Sequence, residues 1–396
     1  MTIAKHVEKI IEKSSWIRKM FEDGARLKAL HGAENVFDFS LGNPNIKPPR
    51  EFRDALKNMV GSDEISDVEM YHGYMPNTGY PHVRDAVAQY LTEEQGVAVS
   101  GEDVIMTCGA SGALNAIFKA ILDPEDEVIS PTPFFVEYGY YVGNHGGVLK
   151  TVPTKPDFHL DLDEIEKALT DKTKAVLINS PNNPSGQVYP EEDLKKLGRL
   201  LAGRGKASGK TIYLISDEPY RKIVYDGKTV PGIFSCYDET IMATSYSKDI
   251  SIPGERIGFL AVSPKATHRK ALLGGMAIAN RILGFVNAPA LMQRVVGAIQ
   301  GAGVDISQYA AKMTLLSDGL ADCGYEFTRP AGAFYLFPKS PIPDDVEFVR
   351  KLQEELILTV PGSGFGTPGH FRIAFCVDDD VITKALPGFR RAKESL

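Results

Sequence analysis

Between about residue 100 and residue 250 the chain repeats one pattern: a short run rich in aliphatic and β-branched residues, then a stretch with helical spacing. DVIMTC precedes GALNAIFKAIL, EVISP precedes FFVEYGYYVG, AVLINS precedes EEDLKKLGRLLAG, and TIYLIS precedes a polar segment and IMATSYS. Strands alternating with helices in this way imply an α/β fold, a mostly parallel sheet covered by helices on both faces. In such sheets ligands bind beyond the carboxyl ends of the strands, so chemistry is expected just after these runs.

A chain of 396 residues exceeds the size at which one core stops growing, so at least two domains are expected. Residues 48–286 form the expected large domain. Beyond Asn287 the pattern changes to a long helical stretch from MQRVVGAIQ onward, then YEFTRPAGAFYLFP and HFRIAFC, which read as strands. Residues 287–396 together with 1–47 are therefore expected to build a smaller α+β domain. In its N-terminal part Val7, Ile10, Ile11, Ile17, Met20, Phe21 and Leu27 recur at roughly helical spacing, predicting an amphipathic helix from Ala4 to Leu30 with a break near Ser14 and Ser15. FDFSLGNPNIKPP reads as an extended linker, and the Gly-rich GRGKASGK at 203–210 as a solvated loop.

A formal net charge of −7 provides no broad basic field, which argues against nucleic acid or an anionic membrane as partner. Cys108, Cys236, Cys323 and Cys376 form no C-x-x-C pair, so neither a metal site nor a disulfide framework is expected. Lys and Glu interrupt the apolar positions of the first residues, unlike a signal peptide, and no segment is apolar enough to span a bilayer. A cytoplasmic enzyme acting on small molecules is the expectation.

The unusual polar residues do follow the apolar runs. Lys248 stands in SYSKDISIPGERIG with Arg256 eight positions on, Asp217 ends TIYLIS, and Gly109, Ala110 and Ser111 open a helix whose first backbone N–H groups lack partners. A lysine amine condenses with a carbonyl and serves as a base, a carboxylate steadies a nearby cation, and a guanidinium grips phosphate or carboxylate in two-pronged fashion. Taken singly these residues read as a solvated lysine, a loop acid, a helix start and a surface arginine.

Together with four further segments, SYSKDISIPGERIG resembles the cofactor-lysine motif of the class I/II, or fold-type I, pyridoxal-phosphate-dependent aminotransferases. TCGASGAL (107–114) is similar to their phosphate loop, SPNNPSG (180–186) to their N-P-S/T-G turn, SDEPY (216–220) to their D-x-x-Y strand end, and GHFRIAF (369–375) to their carboxylate-arginine segment. The five occur in the family's order from the Gly42 region to Arg372. Cys108 and Gly112 stand where the phosphate loop varies.

The resemblance implies a pyridoxal 5'-phosphate enzyme in which Lys248 holds the cofactor as a Schiff base and then moves a proton between the substrate Cα and the cofactor C4′. It implies Asp217 beside the ring nitrogen, Tyr220 and Asn183 at the phenolic oxygen, and Gly109, Ala110, Ser111, Ser245 and Arg256 around the phosphate. Phe135 would stack on the ring, with Phe134 next to it as the competing choice. Arg372, with Gly42 and Asn183, would receive the substrate α-carboxylate. Tyr74 resembles a tyrosine that reaches the phosphate of a neighbouring subunit, which implies a homodimer with shared sites. The implied reaction is amino transfer from an L-amino acid to a 2-oxo acid such as 2-oxoglutarate. On the same fold a carbon-sulfur β-lyase is the alternative, and a ligand-sensing regulator a remote one that would need a DNA-binding domain this sequence does not show. Substrate side-chain preference is not specified; Arg281 is the nearest second arginine, about one position out of register.

Overall fold

The chain is described by a computed structural model over residues 2–5, 7–8, 10–11, 24–61 and 71–396. After β1 (Phe37–Asp38), the alternating runs become β2 (Val104–Thr107), β3 (Glu127–Thr132), β5 (Thr173–Asn179), β6 (Tyr213–Asp217) and β7 (Thr240–Ser245), joined by β4 (Val148–Pro153) and β8 (Gly258–Val262). They form one seven-stranded sheet in the order β2-β8-β7-β6-β5-β3-β4. Every neighbouring pair is parallel except those made by β8, which runs against both β2 and β7.

β2, β6, β7 and β8 are buried at every position because both faces of the sheet are covered. Successive side chains point to opposite faces. Leu214 and Met242 therefore join one core with the helices Pro81–Gln95 and Glu191–Ser208, while Ile215 and Ile241 join another with Gly109–Ile121 and Arg269–Ile282. The helix Ala290–Ala298 contributes Met292, Val295 and Val296 to the first of these cores, so the change of pattern near Asn287 marks a change of element rather than of core.

Residues 203–208, expected as loop, are the last turns of the helix Glu191–Ser208. Its buried Leu194, Leu197, Gly198 and Leu201 anchor it to the sheet, which outweighs the low helix propensity of Gly203 and Gly205, and Gly209 ends it in the left-handed conformation.

A third core is aromatic, with Phe39, Phe334, Phe348, Phe371, Phe375 and Phe389 all buried. Its strands are short: β9 (Tyr335–Leu336), β11 (Val360–Pro361) and β12 (Phe371–Ala374) pair antiparallel, and β10 (Ile357–Leu358) pairs parallel with β1. The longer strands expected from YEFTRPAGAFYLFP and HFRIAFC thus shrink to two and four residues. Of the expected N-terminal helix, Ser14, Ser15, Ile17, Met20 and Phe21 lie outside the described residues; residues 24–31 are helical, and Leu27 packs with Val36 and Leu358. Among the described residues no helix is long and apolar enough to cross a membrane, and no cluster of His, Cys, Asp and Glu could hold a metal ion.

Candidate active site

The carboxyl ends of β5, β6 and β7 deliver Asn179, Asp217 and Ser245 to one rim of the sheet, where a cavity of about 300 Å³ opens. Lys248 enters it from the single helical turn Tyr246–Asp249, and Arg372 enters from β12 on the opposite side.

The Lys248 ammonium donates to the Gly42 carbonyl at 2.7 Å and lies 5.5 Å from the centre of the Phe334 ring. Burial pushes its pKa down from 10.5 to about 8; the Cys376 thiol opposes this, while Arg372 and Arg256 push the same way. The uncharged amine that a nucleophile or base requires is therefore present at about a tenth near pH 7, far more than for an ordinary lysine.

Asp217 is raised to about 7 by burial, with the hydrogen bond from Tyr138 pulling it down and Glu218 pushing it up. The Tyr138 hydroxyl donates to Oδ2 at 2.5 Å, and Oδ1 is buried with no partner among the described residues. A buried carboxylate oxygen left bare calls for a donor or a cation.

At the other end of the cavity Ala110 and Ser111 open the helix Gly109–Ile121, alongside Ser245 and Arg256. Gly109 does not line the cavity. It has a φ of 73°, where a side chain is strained, and a Cβ there would stand 3.0 Å from the Arg256 guanidinium. The Arg256 guanidinium donates to the Pro253 carbonyl at 2.8 Å, and no carboxylate among the described residues pairs with it. Helix N–H groups, two hydroxyls and an uncompensated cation make an anion cradle.

Arg372 is held by two bonds of its fork, Nη1 donating to Asn183 Oδ1 at 3.0 Å and Nη2 to the Ser40 carbonyl at 2.6 Å. Its Nε is buried without a partner. Its guanidinium carbon sits 4.8 Å from the ring centres of both Tyr335 and Phe365. Asn183 is fixed in turn by Asn179, whose Oδ1 accepts from the Asn183 N–H at 2.7 Å. Tyr220 lines the cavity and shares a 2.8 Å hydrogen bond with Tyr335. Gly42 also lines it, and a side chain there would overlap the Tyr335 hydroxyl. Phe135 faces the cavity, whereas Phe134 packs beside Gly366 and is not part of the lining.

Thus Lys248, Asp217, Tyr220, Ala110, Ser111, Phe135, Asn183, Ser245, Arg256, Gly42 and Arg372 converge on one cavity. Tyr74 is 87% exposed and does not reach it. Arg281 is exposed too, at the end of the helix Arg269–Ile282, and lies outside the lining. Sequence reasoning missed Tyr138, Tyr141, Asn179 and Tyr335. Tyr141 hydrogen-bonds the Ser111 side chain. Tyr138 stands in the first turn of the helix Glu137–Gly143, three positions after Phe135, and their rings meet edge-on at 5.6 Å.

The family described as aminotransferase class I and II matches residues 34–388. An aspartate/prephenate aminotransferase of Thermus thermophilus is 32% identical over 360 residues, covering 89% of each chain. An aspartate aminotransferase of Thermotoga maritima is 32% identical over 380 residues, covering 93% of this chain and 95% of its own. Among solved structures, an amino transferase from Eubacterium rectale superposes with a TM-score of 0.95 at 39% identity, covering 100% of this chain and 99% of its own.

Proposed function

We propose, on the premise that this chain belongs to the aminotransferase class I and II family, a division of labour among the residues of its cavity. The chain is a pyridoxal 5'-phosphate-dependent aminotransferase of fold type I that moves the amino group of an amino acid to a 2-oxo acid. The cofactor supplies, when bound, an aldehyde that condenses with amino groups and a ring that draws electrons from the substrate Cα.

The residues fit that group. The bare Asp217 Oδ1 is the acceptor that a protonated ring nitrogen needs, and the ion pair keeps the proton there. The helix start at Ala110 and Ser111, with Ser245 and Arg256, binds the phosphate dianion. Tyr220 donates to the phenolic oxygen, and Asn183, its Oδ1 occupied by Arg372, offers its amide N–H₂ to the same atom. Phe135 covers the ring face. Arg372 keeps Nε for the substrate α-carboxylate, and the two bonds that fix its fork align the substrate. Lys248, uncharged in appreciable part, takes the proton from the substrate Cα and returns it to C4′ of the cofactor.

The observation that carries this assignment is the pair of buried, unpartnered polar atoms, Asp217 Oδ1 and Arg372 Nε, belonging to two residues of one cavity that also holds a lysine shifted toward neutrality.

An L-amino acid donor with 2-oxoglutarate as acceptor is the proposed pair. Relatives named for aspartate make aspartate the first donor to test, although Leu41, Phe135 and Tyr141 give the cavity apolar walls. A homodimer is also proposed. Tyr74 belongs to a segment tied to the helix Arg269–Ile282 through Asn280 Nδ2 donating to the Asn77 carbonyl at 3.5 Å, and to the loop after it through Asn287 Nδ2 donating to the Pro76 carbonyl at 2.9 Å. On the same helix Ile278 and Ile282 are 60% and 62% exposed, an apolar pair one turn apart that a second subunit would cover while receiving Tyr74.

The test is the absorption spectrum of the cofactor-loaded protein with a panel of amino acids, beside Lys248→Ala. Conversion to the pyridoxamine form, reversed by 2-oxo acids in the intact enzyme and lost in the variant, supports the reading. Release of ammonia and pyruvate from the panel would instead identify a lyase, and unchanged cofactor attachment in Lys248→Ala would refute the lysine assignment.

A further inference from the structure

We infer that Tyr335 is a positioning residue that fixes the direction of the hydrogen bond at Tyr220 and so sets how tightly a proton is held at the linkage between Lys248 and the cofactor. This rests on Tyr220 being the hydroxyl that meets the phenolic oxygen of the cofactor.

Tyr335 stands on β9, the strand that pairs with β12 through Ala374↔Tyr335, two residues from Arg372. It is 2% exposed. Its hydroxyl lies 2.8 Å from that of Tyr220, its ring faces the Arg372 guanidinium at 4.8 Å, and its oxygen fills the place a side chain at position 42 would take. The carbonyl of that same Gly42 accepts from Lys248 at 2.7 Å. One tyrosine therefore meets Tyr220, Arg372 and the glycine to which Lys248 is bonded.

A tyrosine hydroxyl has one proton to give. In the pair alone either oxygen can be the donor. Once Tyr220 gives its proton to a phenolic oxygen, it can only accept from Tyr335, and the chain runs Tyr335 to Tyr220 to cofactor. Accepting that bond makes Tyr220 a stronger donor, because hydrogen bonds in series polarise one another. Stronger donation drains charge from the phenolic oxygen, and the neighbouring nitrogen of the Lys248 linkage holds its proton less firmly. Burial keeps Tyr335 protonated: it pushes the pKa up to about 12, against the lowering influences of Arg372 and of the hydrogen bond with Tyr220.

The experiment is a pH titration of the absorption spectrum of the full-length, cofactor-loaded protein without substrate, comparing wild type with Tyr335→Phe, Tyr335→Leu, Tyr220→Phe and the Tyr220→Phe/Tyr335→Phe double variant. Tyr335→Phe keeps the ring under Arg372 and removes only the donor. The midpoint is expected to rise by about half a pH unit in both Tyr335 variants and further in Tyr220→Phe, with the double variant matching Tyr220→Phe. A Tyr335→Phe midpoint equal to wild type while Tyr220→Phe moves would overturn the inference and leave the role of Tyr220 standing. So would a double variant whose shift is the sum of the two singles. No shift in Tyr220→Phe would instead refute the reading on which the inference rests.

Discussion

The two sides of the cavity are built by different means. On one side Asn179, Asp217 and Ser245 are the last residues of adjacent strands in a seven-stranded sheet, and their spacing is fixed by the ladder itself. On the other, Tyr335 and Arg372 stand on strands of two and four residues, and Gly42 on none, held by a core of phenylalanines and tyrosines. Regular backbone hydrogen bonding positions the first set, and side-chain packing the second. If so, substitutions at the strand ends of the sheet should act on cofactor chemistry and those at Arg372 and Phe365 on substrate grip, with Tyr335 reaching the cofactor only through Tyr220.

The largest effect is expected at Asp217. Asp217→Asn keeps the shape and removes the charge opposite the ring nitrogen, and kcat should fall on the order of 10³-fold with little change in KM. Steady-state kinetics check it, and a pure KM effect would break the comparison.

Arg372→Ala should do the reverse. Losing a charge-assisted grip of about 3 kcal/mol raises the KM for the amino acid by about 10²-fold, while titration with cofactor alone gives an unchanged affinity. Cofactor binding that weakened in parallel would mean the two sides are not separable.

A third expectation concerns Lys248 before the cofactor arrives. Its folded pKa, about 8 against an ordinary 10.5, means the uncharged amine grows as pH rises through 8. The rate of cofactor attachment to the stripped protein should rise about tenfold from pH 7 to pH 9 and then level off. Stopped-flow absorbance measures it; a rise continuing beyond pH 10 would show that the lysine is not shifted.

The smallest effect belongs to Phe365, whose ring meets the Arg372 guanidinium at 4.8 Å. Phe365→Leu should raise the substrate KM about fivefold, near 1 kcal/mol, with kcat nearly unchanged. No change in KM would reduce that contact to packing.

The same contrast explains what could be read in advance. A polar residue that ends an apolar run stands out, and so Asp217 and Lys248 are legible as sheet-end residues. The parallel sheet follows from alternation alone, but β8 did not, since only the single turn Tyr246–Asp249 and a short 3-10 turn separate β7 from GFLAV, too little for a crossover, and the strand returns antiparallel beside β7. Tyr335 was hidden because GAFYLF reads as buried aromatic residues. Its meaning comes from a hydroxyl 115 positions earlier in Tyr220, and no local pattern encodes that distance. Tyr138 was hidden for a related reason, since its partner Asp217 is 79 positions away. The helix through Ser208 was missed because glycines were weighed above the leucine stripe that pins it.

The Arg372 bond to the Ser40 carbonyl joins residues 332 positions apart. A ribosome makes the chain from its amino end, and domains begin to fold as they are made. Every sheet-side group, up to Arg256, is synthesised well before Arg372. A message cut short after β8 would thus encode the residues of the phosphate cradle and the lysine but not Arg372. Translation itself dictates that competence for turnover arrives last, with one of the final strands to be made.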